Sequence, residues 1–390
     1  MRRFHLLDAL LDEHVRLWRP QPFKQERPAW CAELPELCAT LLALTDAELA
    51  RLTQDSAALN AVLNEHLPKL AQLSSLTALT ELSAAELESP GPHFAAGIPG
   101  RKWQQITAFS AVLGEVRAPL LEWCGGKGHL GRLLALQWQQ PVLTLEREQE
   151  FCEAGKEMAE RAHVAQHFHT ADVLDDAVEA YLSGRHAVAL HACGELHRNL
   201  VRRAAALEMP ALDIAPCCFH LYGDEQYQPF TPGARLELAR DDLRLAVTET
   251  VTAVGREVRL RDREMAWKLG FEDMRRAQTG NPHYHPLRPI DKQWLKLGFA
   301  GFCHALAERE GLCLAGAIDW EYYAARGWQR QRETMRLSLL RHTFRRAIEL
   351  WLVLDLACYL EANGYRVTLG TFCERELTPR NILLSARLRS

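Results

Sequence analysis

At 390 residues the chain is too long for one average domain and comfortable for two, or for one domain with a large insertion. One residue in four is charged and 48% are apolar, which excludes disorder as the main state and suits a soluble globular chain with a sizeable core. The net charge of −4 decides nothing about a nucleic-acid partner, and no apolar run reaches the roughly 18 residues of a transmembrane helix.

The opening MRRFHLLDALLDEHVRLW is interrupted by Asp8, Asp12 and Glu13 within a few turns. It reads as an amphipathic helix and not as a signal peptide. Leu- and Ala-rich stretches with apolar residues at helical spacing and Ser, Thr or Asp caps continue to about residue 90. Residues 1–90 carry 13 acidic against 8 basic side chains. An all-helical, acidic N-terminal domain over 1–95 is expected. The run ESPGPHFAAGIPG (88–100) has three Pro and three Gly and marks a linker or an ordered loop. Eleven cysteines, an odd number in a large chain, argue for reduced thiols and a cytoplasmic location rather than a disulfide framework.

From about residue 118 the pattern changes. Strand candidates PLLEWC (119–124), PVLTLE (141–146), AQHFHTAD (165–172), AVALHAC (187–193) and ALDIAPC (211–217) alternate with helix candidates near 128–139, 149–162, 174–183 and 195–207. That alternation predicts an α/β domain over 96–390 with a parallel, doubly wound sheet. Residues 221–346 break the rhythm and read as a helical insertion. A long helix ending at Asn363-Gly364, then YRVTLGTFC (365–373) and NILLSARL (381–388), add two closing strands. The expectation is a Rossmann-like, seven-stranded sheet with a helical N-terminal domain.

LLEWCGGKGHLGRLLA (120–135) is a strand, a glycine turn and a helix. Gly126, Gly128 and Gly131 satisfy G-x-G-x-x-G, which lets backbone approach a ligand at a helix N-terminus. Glu146, twenty residues on, is placed to accept from both hydroxyls of a ribose. The pattern is shared by nicotinamide, flavin and S-adenosylmethionine (SAM) sites, and a glycine turn can also merely pack helix on strand. Three features favour SAM. Glu122 precedes the loop, where an acid suits an ammonium group. Asp172 ends the third strand, within reach of an adenine amino group. A helix and two strands close the sheet. Cys124 in the loop and His191 at the end of the fourth strand complete the candidate cofactor contacts.

Strands four and five end at His191-Ala192-Cys193-Gly194 and Pro216-Cys217-Cys218-Phe219-His220. Cys193, Cys217, Cys218 and His220 are the candidate catalytic residues bordering the acceptor. The thiols can be small packing groups. A histidine can remove a proton from the acceptor. A thiolate can add to a pyrimidine. Zinc is the remaining reading, with adjacent Cys217 and Cys218 an awkward ligand pair, and no metal is expected. Seven arginines against one glutamate in RGWQRQRETMRLSLLRHTFRR (326–346) suit phosphate contacts, or else pair with the acidic N-terminal region.

EWCGGKGHLGR, HACGEL, PCCFH and ELTPRNILLSAR, in this order, resemble one group of SAM-dependent methyltransferases. The group includes eukaryotic tRNA 2′-O-methyltransferases and the methyltransferase domain of the glutathione S-transferase C-terminal-domain-containing protein. The resemblance covers about 96–220 and 331–390 and implies SAM-dependent methyl transfer but says little about the substrate. RNA, tRNA or rRNA, is the leading acceptor, with a protein or small-molecule methyltransferase or a non-catalytic SAM-fold scaffold as the alternatives. One departure stands out. Where the group has HxCGxxTD, this chain reads His191-Ala192-Cys193-Gly194-Glu195-Leu196-His197, without the Thr-Asp pair.

Overall fold

The computed structural model describes residues 1–390 apart from 92, 115, 117, 249–254 and 390. Seven strands are present: β1 (Leu120–Trp123), β2 (Val142–Glu146), β3 (Gln166–Thr170), β4 (His186–Cys193), β5 (Ala211–Cys217), β6 (Tyr365–Thr371) and β7 (Ile382–Leu388). They form one sheet in the order β3-β2-β1-β4-β5-β7-β6. β1 to β5 are mutually parallel, while β7 runs antiparallel to both β5 and β6. The α/β sheet expected from the sequence is therefore in place. β5 is buried along its whole length, as a central strand covered on both faces must be.

The crossover helices His129–Trp138, Gln149–Arg161 and Glu195–Ala206 follow β1, β2 and β4. The helix predicted at 174–183 is instead a short 3-10 turn, Asp176–Tyr181. Arg203 explains the difference. Its guanidinium donates to the carbonyls of Leu174 and Asp175 and to the side chains of Asp176 and Glu179, which ties the start of the segment down in the 3-10 form. On one face of the sheet, Leu130, Leu133 and Leu134 pack with Phe109, Phe372, Leu120 and Val188. At the last residue of β6 one isolated bridge caps the outer edge, since Thr371 donates its N–H to Thr80 and Leu82 donates to Thr371.

Two compact units emerge. One holds Met1–Asp12, Ser74–Thr252 and Arg345–Ser390, and the other holds Glu13–Leu73 and Ala253–Phe344. The helical unit therefore draws on both the predicted N-terminal domain and the predicted insertion. Buried contacts explain why the first twelve residues belong to the sheet unit. Phe4 stacks on Trp351 at 5.3 Å, and the buried Asp8 carboxylate accepts from the N–H groups of Arg235 and Leu236 and from the Trp351 indole.

Within the helical unit, Phe271, Met274, Phe302 and Leu306 form a core among helices Gly255–Thr279, Gly298–Glu310 and Trp320–Thr343. Here the arginine-rich segment 326–346 departs from its expected role as a phosphate-binding surface. Arg330 is 1% exposed and pairs with Asp273, which Arg326 also reaches. Arg326 also pairs with Glu26, Arg336 with Asp46 at 2.7 Å, and Arg27 with Glu333 at 2.9 Å. Arg341 donates to the Trp18 carbonyl. These guanidinium groups answer acids and carbonyls of the same unit, so most of the segment's charge is spent internally. Among the described residues no helix is long and apolar enough to cross a membrane, and all eleven cysteines are free thiols.

Candidate functional site

Strand order reverses between β1 and β4, and in an open α/β sheet a ligand crevice forms at the carboxyl ends of the strands flanking that point. The glycine turn lies there. Cys124, Gly126 and Gly128 all have positive φ, at 57°, 59° and 66°. The two glycines do different things. A Cβ on Gly128 would meet Gln166 at 2.3 Å and Phe168 at 2.4 Å, so this position packs the turn against β3 and does not face a ligand. A Cβ on Gly126 would meet nothing within 4 Å, so its backbone borders open space. The absence of a side chain at Gly128 thus serves the packing of the turn.

Glu122 is also turned inward. Its buried carboxylate accepts from the Thr144 hydroxyl at 2.8 Å, from the Gln166 amide at 3.4 Å and from the Gly131 N–H. It anchors the first turn of helix His129–Trp138 from below, where an acid also complements the helix dipole. Both side-chain hydrogen bonds fall on Oε2, which holds Glu122 at the floor of the glycine turn.

Burial pushes the Glu122 carboxyl up to about 7 from its ordinary 4.5. Between those values the unfolded chain holds fewer protons than the folded one, so this group's contribution is full below about 4.5 and is lost as pH rises through 7. Glu122→Gln should flatten that fall. In urea unfolding, the stability of the natural protein relative to the variant is expected to drop between about pH 5 and about pH 8. A pH-independent difference would show that burial does not hold this proton.

Glu146 ends β2 facing the same crevice. Its Oε2 accepts from the Gly126 N–H at 2.8 Å and its Oε1 from Glu148 N–H at 3.0 Å, which fixes the carboxylate beside the open face of the turn. Asp172, beyond β3, accepts from the Leu174 N–H at 3.0 Å and is half-buried.

The ends of β4 and β5 bring the cysteines and histidines together. The Cys193 and Cys217 sulfurs are 3.4 Å apart, and with Cys218 all three lie within 4.8 Å of one another. His191 and Cys218 take positive φ of 63° and 48°. Non-glycine residues adopt this region reluctantly, and such strain gathers at functional sites. Three other non-glycine residues with positive φ, Gln139, His163 and Glu208, simply end helices, whereas Cys124, His191 and Cys218 sit at the carboxyl ends of β1, β4 and β5. Burial and the Arg380 charge lower His191 to about 4, so its ring is neutral at pH 7. The Nδ1 atoms of His191 and His220 are buried without a hydrogen-bond partner. Hydrogen bonds from the other two thiols hold Cys218 well below an ordinary thiol, while Cys193 and Cys217 are raised.

Two features of the edge were not singled out from the sequence, and a third, Arg380, reads from the sequence only as able to bind substrate or fix the closing hairpin. Buried His197 donates from Nδ1 to the Ala192 carbonyl at 2.8 Å and packs edge-on to Phe219, which props the β4 end against the β5 end. Buried His129 opens the helix after the turn, and desolvation lowers it to about 4. The third is the position of Arg380. The segment 374–381 is tied down by Arg101 on the carbonyls of Glu376 and Leu377 and by Asn381 on the Cys373 carbonyl and Arg346. Within it the Arg380 guanidinium donates to the Val247 carbonyl at 3.3 Å, and its charge acts on His191, Cys193 and Cys218. The Thr-Pro-Arg-Asn sequence was the available signal, without a partner to interpret it.

The arrangement fits a SAM-type cofactor. Open backbone at Gly126 lies next to a fixed carboxylate able to accept from two ribose hydroxyls. A second acid stands one strand further out, and a neutral imidazole with an unpaired nitrogen lies across the β1–β4 switch. Residues 101–224 match the family model of a methyltransferase domain. No curated protein matches the chain in sequence. Among solved structures, it is similar to the Pyrococcus abyssi tRNA (uracil-54, C5)-methyltransferase in complex with S-adenosyl-L-homocysteine, at 19% identity and TM-score 0.24 over 30% of this chain and 28% of that one. A glycopeptide N-methyltransferase complexed with SAM matches at 17% and 0.23, over 34% and 63%. PKMT2 from Rickettsia typhi, in complex with AdoHcy, matches at 12% and 0.24, over 57% and 34%. The chain spans less than two thirds of the length of each of these three, and the likeness is confined to part of the fold.

Proposed function

We propose that this chain, a SAM-dependent methyltransferase by virtue of the domain at residues 101–224, uses RNA, tRNA or rRNA, as its methyl acceptor. The carrying observation is Arg380, a cation whose charge acts on the histidine and thiols of the edge where the acceptor would lie. A guanidinium there suits a phosphate beside the reacting nucleotide. Exposed Lys102, at the start of helix Gly100–Val112, extends the positive character, since its charge reaches His129 and Glu122.

SAM supplies an electrophilic methyl group on its sulfonium. The protein's share is positioning, exclusion of water and proton removal. Glu146 holds the ribose hydroxyls and Asp172 the adenine amino group. Cys124, Gly126 and His191 border the remainder of the cofactor. His220, with its unpartnered Nδ1, takes the acceptor's proton, and Cys193, Cys217 and Cys218 line the acceptor's approach.

Nucleoside mass spectrometry on tRNA and rRNA from cells lacking the gene tests the reading. A methylated nucleoside that is missing, and that returns on incubation with purified protein and SAM, is the expected result. An unchanged profile moves the acceptor to a protein or a small molecule. Arg380→Ala should weaken RNA binding about tenfold and lower the slope of log affinity against log salt by about 1. An unaltered salt slope would remove Arg380 from the phosphate contact.

A further inference from the structure

We propose that Cys193, Cys217 and Cys218 form a binding site for a thiophilic divalent cation, zinc, at the carboxyl edge of the sheet. The inference goes beyond the RNA reading and does not rest on it. Zinc–thiolate bonds of about 2.3 Å place the sulfurs of a tetrahedral site about 3.8 Å apart. The Cys193–Cys217 separation of 3.4 Å and the 4.8 Å span of the trio bracket that value. Three protein thiolates leave the fourth position of a tetrahedral ion for water or an acceptor atom, the pattern of open rather than purely structural zinc sites.

The backbone is built to make the trio converge. Successive side chains of a strand point to opposite faces, which would send Cys217 and Cys218 apart. Cys218 instead has φ of +48°, and its sulfur comes back to lie with that of Cys217. This removes the objection to adjacent cysteines as ligands. On β4 the pairing register with β5 shifts between Leu190 and Cys193, within which His191 has φ of +63°. Cys193 thereby comes opposite Cys217. Gly194 lets the two strand ends close, since a Cβ there would lie 2.0 Å from the Leu221 carbonyl oxygen. Thiols are weak hydrogen-bonding groups, and the Cys193 sulfur meets the His191 carbonyl and the other two thiols. So much backbone strain is poorly repaid by thiol contacts and well repaid by a cation held by all three sulfurs.

The test uses the full chain, purified under reducing conditions without chelator, equilibrated with zinc and freed of excess. Elemental analysis should give about one zinc per chain, falling at least tenfold in the Cys193→Ser/Cys217→Ser/Cys218→Ser variant. Cobalt loaded into the unaltered protein should show thiolate-to-metal charge-transfer absorption, a readout that survives if the variant fails to fold. Zinc below one tenth per chain in the natural protein, equal zinc in a folded variant, or cobalt spectra without the thiolate band would each overturn the site. Metal content is read without any acceptor, so its failure leaves the RNA reading intact, and failure of RNA methylation leaves the metal site intact.

Discussion

Glu146→Ala is expected to weaken S-adenosylhomocysteine binding by about 100-fold in calorimetry. The carboxylate holds the Gly126 N–H at 2.8 Å and would accept from two ribose hydroxyls. Hydrogen bonds to a charged group are worth about 1.5–3 kcal/mol each, and each 1.4 kcal/mol is a factor of ten. Two such bonds at the weaker end, which suits a half-exposed carboxylate, give the stated loss. The ligand-free melting temperature should fall by only a few degrees, because the variant loses without ligand only the two hydrogen bonds from the Gly126 and Glu148 N–H groups. The ligand-induced rise in melting temperature should largely disappear. Retained affinity would transfer the ribose contact to Asp172.

The largest stability effect is expected far from the ligand edge, at Asp213→Ala. Asp213 is fully buried in β5 and receives Arg387 at 2.9 and 3.2 Å, Ser385 at 2.5 Å and His186 at 2.6 Å. One carboxylate thus clamps β4, β5 and β7. Removing one partner of a buried charge pair strands the other, at a cost of about 3–5 kcal/mol. Urea unfolding should show a loss of that size, with Asp213→Asn intermediate because the amide oxygen still accepts. A loss below about 1 kcal/mol would mean that Arg387 finds solvent when the carboxylate is gone.

The two substitutions divide the molecule by what each side of the sheet does. Near its amino end β5 is held by charge and buried hydrogen bonds. At the carboxyl ends of β1, β4 and β5 the backbone is strained and imidazole nitrogens lack partners. An edge of that kind is organised for a ligand rather than for stability. The internal pairing of Arg326, Arg330 and Arg336 moves the search for an RNA contact from segment 326–346 to Arg380 and Lys102.

Local chemistry in the sequence determined the strands, the crossover helices and the glycine turn. Runs of apolar residues bounded by turn residues need no distant partner to be read, and Gly126 and Glu146 carry their spacing openly. The 3-10 turn at Asp176–Tyr181 escaped because Arg203, remote in sequence, ties down the residues at its start. The inward turn of Glu122, the packing role of Gly128 and the pairing of the arginines escaped for the same reason. Each depends on which side chain arrives from elsewhere: Gln166 from β3, Asp46 and Glu26 from the N-terminal stretch. The thiol trio was visible as three cysteines at two strand ends. Its convergence was decided by positive φ at His191 and Cys218, residue types that give no local hint of it, and by the register of β4 on β5. Short-range preferences write secondary structure into the sequence, but the direction of a side chain at a site follows from contacts closed across tens to hundreds of residues, and only the folded chain supplies those.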